Sequence, residues 1–171
     1  MARRRKPRST PSRNLSKAPD LPVEVRRWPS ADRLDDIMAM VHAAFGGFEP
    51  PSGVLKETVA DLARRQREGL VLVAMEGQSF VGSVFCARKD DSLYLTRMAV
   101  LPARQKRGIG AVLMRAAEAE ARALGLNKLS LRIRKNLPGN RRYFEAFGFV
   151  LTGEGQDPGR PPYHVFERQF S

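Results

Sequence analysis

The stretch Leu93 to Leu124, LYLTRMAVLPARQKRGIGAVLMRAAEAEARAL, constrains this chain more than any other. Leu93 to Leu101 alternates apolar with other residues and is rich in strand formers, which predicts a strand that Pro102 ends. After the basic run Arg104, Gln105, Lys106, Arg107 come Gly108 and Gly110, then a helix-favouring run to Leu124 with Gly125 as its stop. Strand, glycine turn and helix in that order suit the capture of an anion. The first four N–H groups of a helix lack an internal acceptor, and the aligned peptide dipoles place about half a positive charge there. A phosphate answers both needs. Glycine at 108 and 110 lets a ligand reach the backbone and accepts the positive φ that a cradle of N–H groups often requires.

Two general phosphate motifs do not fit. A P-loop requires Lys and then Ser or Thr after its second glycine, and Ile109, Gly110 and Ala111 do not supply them. The dinucleotide fingerprint requires three glycines where this turn has two. What remains is Gln105-x-x-Gly108-x-Gly110 after a strand ending Val100-Leu101-Pro102. This resembles the acetyl-CoA signature of the GNAT superfamily of N-acetyltransferases, Arg/Gln-x-x-Gly-x-Gly/Ala, with Gln105 in its first position. Phe80-Val81-Gly82 resembles that family's third strand, Leu129 to Ile133 its fifth, and Glu145-Ala146-Phe147-Gly148-Phe149 the end of its fourth helix. The resemblance runs from Val23 to Phe170.

Length allows one domain plus a tail. A body of about 150 residues buries enough surface to stand without a metal or a disulfide, and the single Cys86 excludes an internal disulfide. No apolar run approaches the roughly 20 residues of a membrane span, and the N-terminal segment lacks a secretory apolar core. A soluble, cytoplasmic protein is the expectation. Of the net charge of +12, half lies in residues 1–20, which hold seven basic residues and one acid, Asp20. That segment also carries Pro7, Pro11 and Pro19 and is expected to be a disordered basic tail. It reads as a solubilising spacer, as a contact for nucleic acid or another polyanion, or as a transit peptide, whose amphipathic helix the prolines spoil.

Within residues 21–171 the pattern predicts a first strand Val23 to Trp28 and an N-cap at Ser30. A helix then buries Leu34, Ile37, Met38, Val41 and Phe45, with His42 as an ordinary half-buried neighbour and Gly46-Gly47 as the stop. A second helix is expected from Leu55 to Glu68, with Leu55, Val59 and Leu62 inward and Arg64, Arg65 and Arg67 in water. Leu70 to Met75 and Phe80 to Ala87 form a hairpin, and Lys89 to Ser92 turns into the next strand. Lys128 to Ile133 must cross over the motif helix and run parallel to the strand before it. Gly153 to Pro162 reads as a loop and Tyr163 to Phe166 as the closing strand. The fold class is α/β of the α+β kind: one GNAT-like domain, a mixed and mostly antiparallel sheet of six or seven strands flanked by about four helices.

The resemblance implies the chemistry. Acyl transfer from a thioester needs a held donor, a neutral amine, stabilisation of the oxyanion and a proton for the thiolate. In the family the pantetheine arm pairs with the fourth strand, here Met98-Ala99-Val100, so that an N–H at Met98 or Val100 meets the thioester carbonyl. The pyrophosphate is expected on N–H groups of Lys106, Arg107, Gly108, Ile109, Gly110 and Ala111, with Gln105 before them. Asn136 and Asn140 are candidate pantetheine contacts or helix caps. Many members place a tyrosine four residues before the glycine of the Gly-Phe pair. Phe144 stands there, and Tyr143 one residue earlier is the candidate acid. Many also use a carboxylate on the fourth strand, where this chain has Thr96 and Arg97; Glu49 and Glu145 are alternatives, and neither is assigned. Phe48 to Gly53 falls on the acceptor side, and Tyr163 or His164 could face the substrate.

The function expected is transfer of acetyl from acetyl-CoA to a primary amine, small molecule or protein, by direct attack and without a metal. Two other classes stand beside it: a catalytically silent CoA-binding regulator, and a nucleic-acid-associated protein that works through its tail. Monomer and homodimer are both open. The basic balance disfavours polyamines and favours anionic or acidic acceptors.

Overall fold

A computed structural model describes residues 22–171, so the basic tail expected over residues 1–20 lies outside the described residues. Seven strands form one sheet in the order β1-β2-β3-β4-β5-β7-β6. They are β1 (Val23–Arg27), β2 (Leu70–Glu76), β3 (Ser79–Lys89), β4 (Ser92–Val100), β5 (Lys128–Arg134), β6 (Val150–Gly155) and β7 (Tyr163–Gln169). Every neighbouring pair is antiparallel except β4 with β5, which the crossover helix α3 (Ile109–Ala123) forces to be parallel. Helices α1 (Leu34–Phe45), α2 (Val59–Glu68) and α4 (Pro138–Ala146) are the other α-helices among the described residues. No helix among the described residues is long and apolar enough to cross a membrane.

The central strands are buried on both faces, which is why they read as near-continuous apolar runs. On β2, Leu72 and Ala74 join the cluster under α3, while Val71, Val73 and Met75 join the one under α1 and α2. The helical stripes of α1 and α3 supply the other half of each layer: Ile37 and Val41 on one face, Leu113, Ala117 and Ala121 on the other, all fully enclosed. A single glycine sets how closely α3 lies. A Cβ on Gly82 of β3 would stand 2.9 Å from the Ala99 carbonyl oxygen, 3.1 Å from Leu113 Cδ1 and 3.2 Å from Ile109 Cγ2.

Several boundaries differ from the sequence pattern for local reasons. The expected second helix splits into a 3-10 turn at Gly53–Lys56 and α2 itself, because Thr58 and Asp61 form a reciprocal capping box at the start of α2. Val59 is consequently exposed, and Arg65 turns inward to Glu57 instead of facing water. Ser30 does not cap α1: its Oγ accepts from Asp32 N at 3.0 Å, and Arg33, in the left-handed region at φ 58°, precedes the helix. Val150–Gly155 is a strand despite two glycines, pairing with β7, which slots between it and β5. Pro138 opens α4 at its first turn, where its missing N–H costs nothing.

The β4–β5 contact shapes everything that follows. The strands pair only over Leu93–Leu95 against Leu129–Leu131, beside a buried Ser92 Oγ to Ser130 Oγ hydrogen bond of 2.7 Å. The β3–β4 register slips between Ser83 and Phe85, and Arg97 takes a left-handed φ of 49°, so β4 bulges and turns away from β5. Gly82→Ala is expected to push the first turn of α3 off β3 and β4 and cost about 1–3 kcal/mol in urea unfolding; a variant as stable as the parent would show that α3 does not rest there.

Candidate functional site

Two cavities open where β4 and β5 part. The larger, about 650 Å3, runs along the inner edge of β4 to the glycine turn and under α4. The smaller, about 170 Å3, lies between the outer halves of the two strands. They share Phe45, Phe48, Met98, Asn140 and Phe144, so they meet at the middle of β4.

The larger cavity joins an open strand edge to a glycine turn. Met98, Ala99 and Val100 lie beyond the last residue that β4 pairs with β5, leaving that strand edge open to an added strand. Beyond Val100 a 3-10 turn (Pro102–Arg104) leads to Gln105, whose Nε2 donates to the Val100 carbonyl at 3.3 Å. Arg104 grips Glu76 with two bonds of 2.9 and 3.2 Å, fixing the turn to β2. Lys106 and Gly108 then take left-handed φ values of 62° and 80°. Among the described residues no backbone carbonyl accepts from the N–H groups of Lys106, Gly108, Ile109, Gly110 or Ala111. The Tyr143 hydroxyl stands directly against Gly110, so a Cβ there would force that ring aside.

Met98, Ala99, Val100, Gln105, Lys106, Gly108, Ile109, Gly110, Ala111, Asn140 and Tyr143 therefore line one cavity, as the sequence pattern groups them. Arg107 and Asn136 do not line it. The Asn136 amide donates instead to the Glu49 carbonyl at 3.1 Å, and Arg134 Nη1 donates to the Pro50 carbonyl at 2.9 Å. Together they tie the connector after α1 over the end of β5, where Phe48 stacks edge-to-face on Phe45 with ring centres 5.3 Å apart. Tyr143 places its hydroxyl against Gly110, and burial raises its pKa, so the phenol stays protonated. Phe144 occupies the junction of the cavities.

No Asp or Glu lines either cavity among the described residues. Glu49 is exposed, and Glu145 pairs with Arg141 at 2.8 Å. His42 lines neither cavity, nor do Tyr163 and His164. Cys86 is buried in β3, and burial, aided by Glu120, pushes its thiol up to about 12, which removes it as a nucleophile.

The sequence pattern missed Glu57. It accepts from both Nε and Nη2 of Arg97 and from Arg65 Nη2 at 2.8 Å. Burial alone would raise its carboxyl, but the two guanidiniums outweigh that and hold it below the usual value. One carboxylate facing two arginines leaves the cluster with a net positive charge beside the smaller cavity, which Arg132 and Arg134 of β5 also line. The alternation in Lys128–Arg134 carried that signal: Arg132 and Arg134 must leave the face that Leu131 and Ile133 bury.

Glu57→Gln leaves Arg65 and Arg97 facing a neutral amide, and is expected to cost about 2 kcal/mol at neutral pH. Because the folded carboxyl titrates below its unfolded value, the wild type's advantage is complete above about pH 4.5 and fades as pH falls through the lower folded value. Unfolding of the two proteins across that range checks this; a difference independent of pH would assign the loss to packing.

Comparison with known proteins agrees with this arrangement. A model of the Acetyltransferase (GNAT) family matches residues 34–149. No curated protein sequence matches the chain. The fold is similar to that of the PaiA N-acetyltransferase of Thermoplasma acidophilum, solved in complex with coenzyme A, at TM-score 0.74 and 15% identity over 88% of this chain and 100% of that one. It is also similar to the ribosomal-protein-S18-alanine N-acetyltransferase of Escherichia coli (TM-score 0.71, 18% identity, 87% and 94% covered). An N-acetyltransferase of Staphylococcus aureus gives TM-score 0.70 and 16% identity, with 86% and 98% covered. With the signature turn at the mouth of the larger cavity and the family's pattern spanning most of the domain, the chain belongs to the GNAT acetyltransferase family.

Proposed function

We propose that the protein transfers an acetyl group from acetyl-CoA to a primary amine by direct attack. The observation that carries this reading is the open edge of β4 running into a cradle of unpaired N–H groups, with a second cavity meeting it at Met98. Acetyl-CoA supplies the activated thioester. The N–H groups from Lys106 to Ala111 would hold its diphosphate, and the edge at Met98 to Val100 would pair with the pantetheine amides. An N–H of Met98 or Val100 would face the thioester carbonyl.

The amine must arrive unprotonated. With no carboxylate lining the cavities among the described residues, the positive charge of Arg97, Arg132 and Arg134 does the equivalent work: like charge disfavours the ammonium form and lowers its pKa. The nitrogen forms the new C–N bond, the C–S bond breaks, and the proton shed by nitrogen leaves to water while the thiolate takes one up. Asn140 stands at the junction as a hydrogen-bond donor. The Tyr143 hydroxyl, placed over Gly110 and outside the smaller cavity, fits a contact to the diphosphate end of the cosubstrate better than proton delivery at the junction.

The missing carboxylate also favours a second reading, a CoA-binding protein without turnover, which acetylation of any amine by the intact protein excludes. Titration calorimetry is expected to show acetyl-CoA binding with a Kd of about 1–100 μM, abolished in Gly110→Glu because its side chain fills the cradle. No binding by the intact protein overturns the reading. Tyr143→Phe is expected to raise the KM for acetyl-CoA about fivefold with kcat changed less than about twofold; a hundredfold loss of kcat at unchanged KM would make Tyr143 the acid.

A further inference from the structure

We infer that the acceptor amine carries an oxyanion and that Arg134 receives it; this deepens the acetyltransferase reading above and rests on it. Arg134 ends β5 and lines the smaller cavity, opposite the bulge of β4. Its Nη1 is used by the Pro50 carbonyl. Its Nε and Nη2 are enclosed and meet no acceptor among the described residues. A guanidinium offers five donors in a fixed plane, and leaving enclosed ones unmet is costly. Nε and Nη2 form one edge of that plane, the edge whose two parallel N–H bonds match the two oxygens of a carboxylate or phosphonate.

The surroundings point the same way. Three arginines line this cavity and no acid does, among the described residues. Two of the three already face carboxylates. Arg97 is held by Glu57, and Arg132 approaches Asp157 at 3.5 Å while lying over the Tyr163 ring at 4.3 Å. Of the three, Arg134 alone has no carboxylate partner among the described residues, and its guanidinium lies over the Phe48 ring at 5.9 Å. The remaining walls, among them Phe45, Leu131, Leu137 and Phe144, are apolar. An amine with an apolar body and one acidic group, as in an apolar α-amino acid, satisfies the unmet edge of Arg134. A polyamine or an amine without an acid leaves it unmet.

The test compares acceptors that differ only in the acid: phenylalanine against phenethylamine, and leucine against isoamylamine. The phosphonate analogue of phenylalanine separates a carboxylate from a phosphate-like group. Initial rates with acetyl-CoA are read for the wild type, Arg134→Gln and Arg134→Lys. Calorimetry of N-acetylphenylalanine against N-acetylphenethylamine on the CoA-loaded protein gives a readout independent of turnover. The expected result is a preference of about tenfold or more in kcat/KM or Kd for an acid-bearing member, falling toward one in Arg134→Gln and partly restored in Arg134→Lys. Equal treatment of each pair overturns the inference, as does neither reaction nor binding of any member. A loss in Arg134→Gln that falls alike on both members also overturns it, because that is what a mere strut for the Pro50 connector would give. Failure of the intact protein to bind acetyl-CoA would overturn the acetyltransferase reading itself, so the two failures are told apart.

Discussion

The pairing of β4 with β5 stops after three residues, and both cavities exist because it does. Two parallel strands of this length would ordinarily zip along their whole contact and bury their N–H and C=O groups in each other. Here the register slip in β4 and the left-handed Arg97 turn the strand aside. A left-handed φ at a non-glycine residue costs about 1–2 kcal/mol. The two charge-assisted bonds from Arg97 to Glu57 fix the side chain of the bent residue to the segment before α2 and so hold the bend in place. At the other end the enclosed Ser92–Ser130 hydroxyl pair keeps the strands together.

From that parting follow both the place of the chemistry and its electrostatics. One cavity runs from the edge freed on β4, past the 3-10 turn, to the N-terminal turn of α3, whose position on the sheet is set by the bare backbone of Gly82. The residue that makes the bend is itself cationic, and its counter-ion is shared with Arg65, so the smaller cavity keeps a positive potential. That potential is what the proposed transfer to a neutral amine and the inferred acid group on the acceptor both draw on. The middle of β4 carries Thr96 and Arg97, and in the mechanism proposed above like charge, not a carboxylate base, favours the neutral amine.

Much of this was legible in the residues. The spacing of Gln105, Gly108 and Gly110 after a strand located the cradle, and the alternation in Leu93 to Leu101 located the strand whose edge it continues, since both are local signals. The helical stripe of α1 predicted its buried face at Leu34, Ile37, Met38 and Val41, while Phe45 at its end is only half-buried. What stayed hidden depends on contacts between segments distant in the chain. Glu57 looked like one acid in a charged helix until the capping box at Thr58 put it outside α2 and opposite Arg97, 40 residues away. Val150–Gly155 hid as a strand because its two glycines imitate a loop, and its pairing with β7 lies across a turn. The one-residue offset of Tyr143 from the family's tyrosine position, by contrast, was readable, and on α4 it moves the hydroxyl from the junction to Gly110.

Amide hydrogen exchange with and without acetyl-CoA tests the central claim most directly, because that claim joins a β4 edge left open beyond Leu95 to the turn N–H groups of Lys106, Gly108, Ile109, Gly110 and Ala111, from which no backbone carbonyl accepts among the described residues. Protection is predicted at the edge of β4 from Met98 to Val100 and in the turn from Lys106 to Ala111, with little change in β1, β2 or β6. Saturating acetyl-CoA that leaves those two segments exchanging as before, or protects a different surface, would contradict the account.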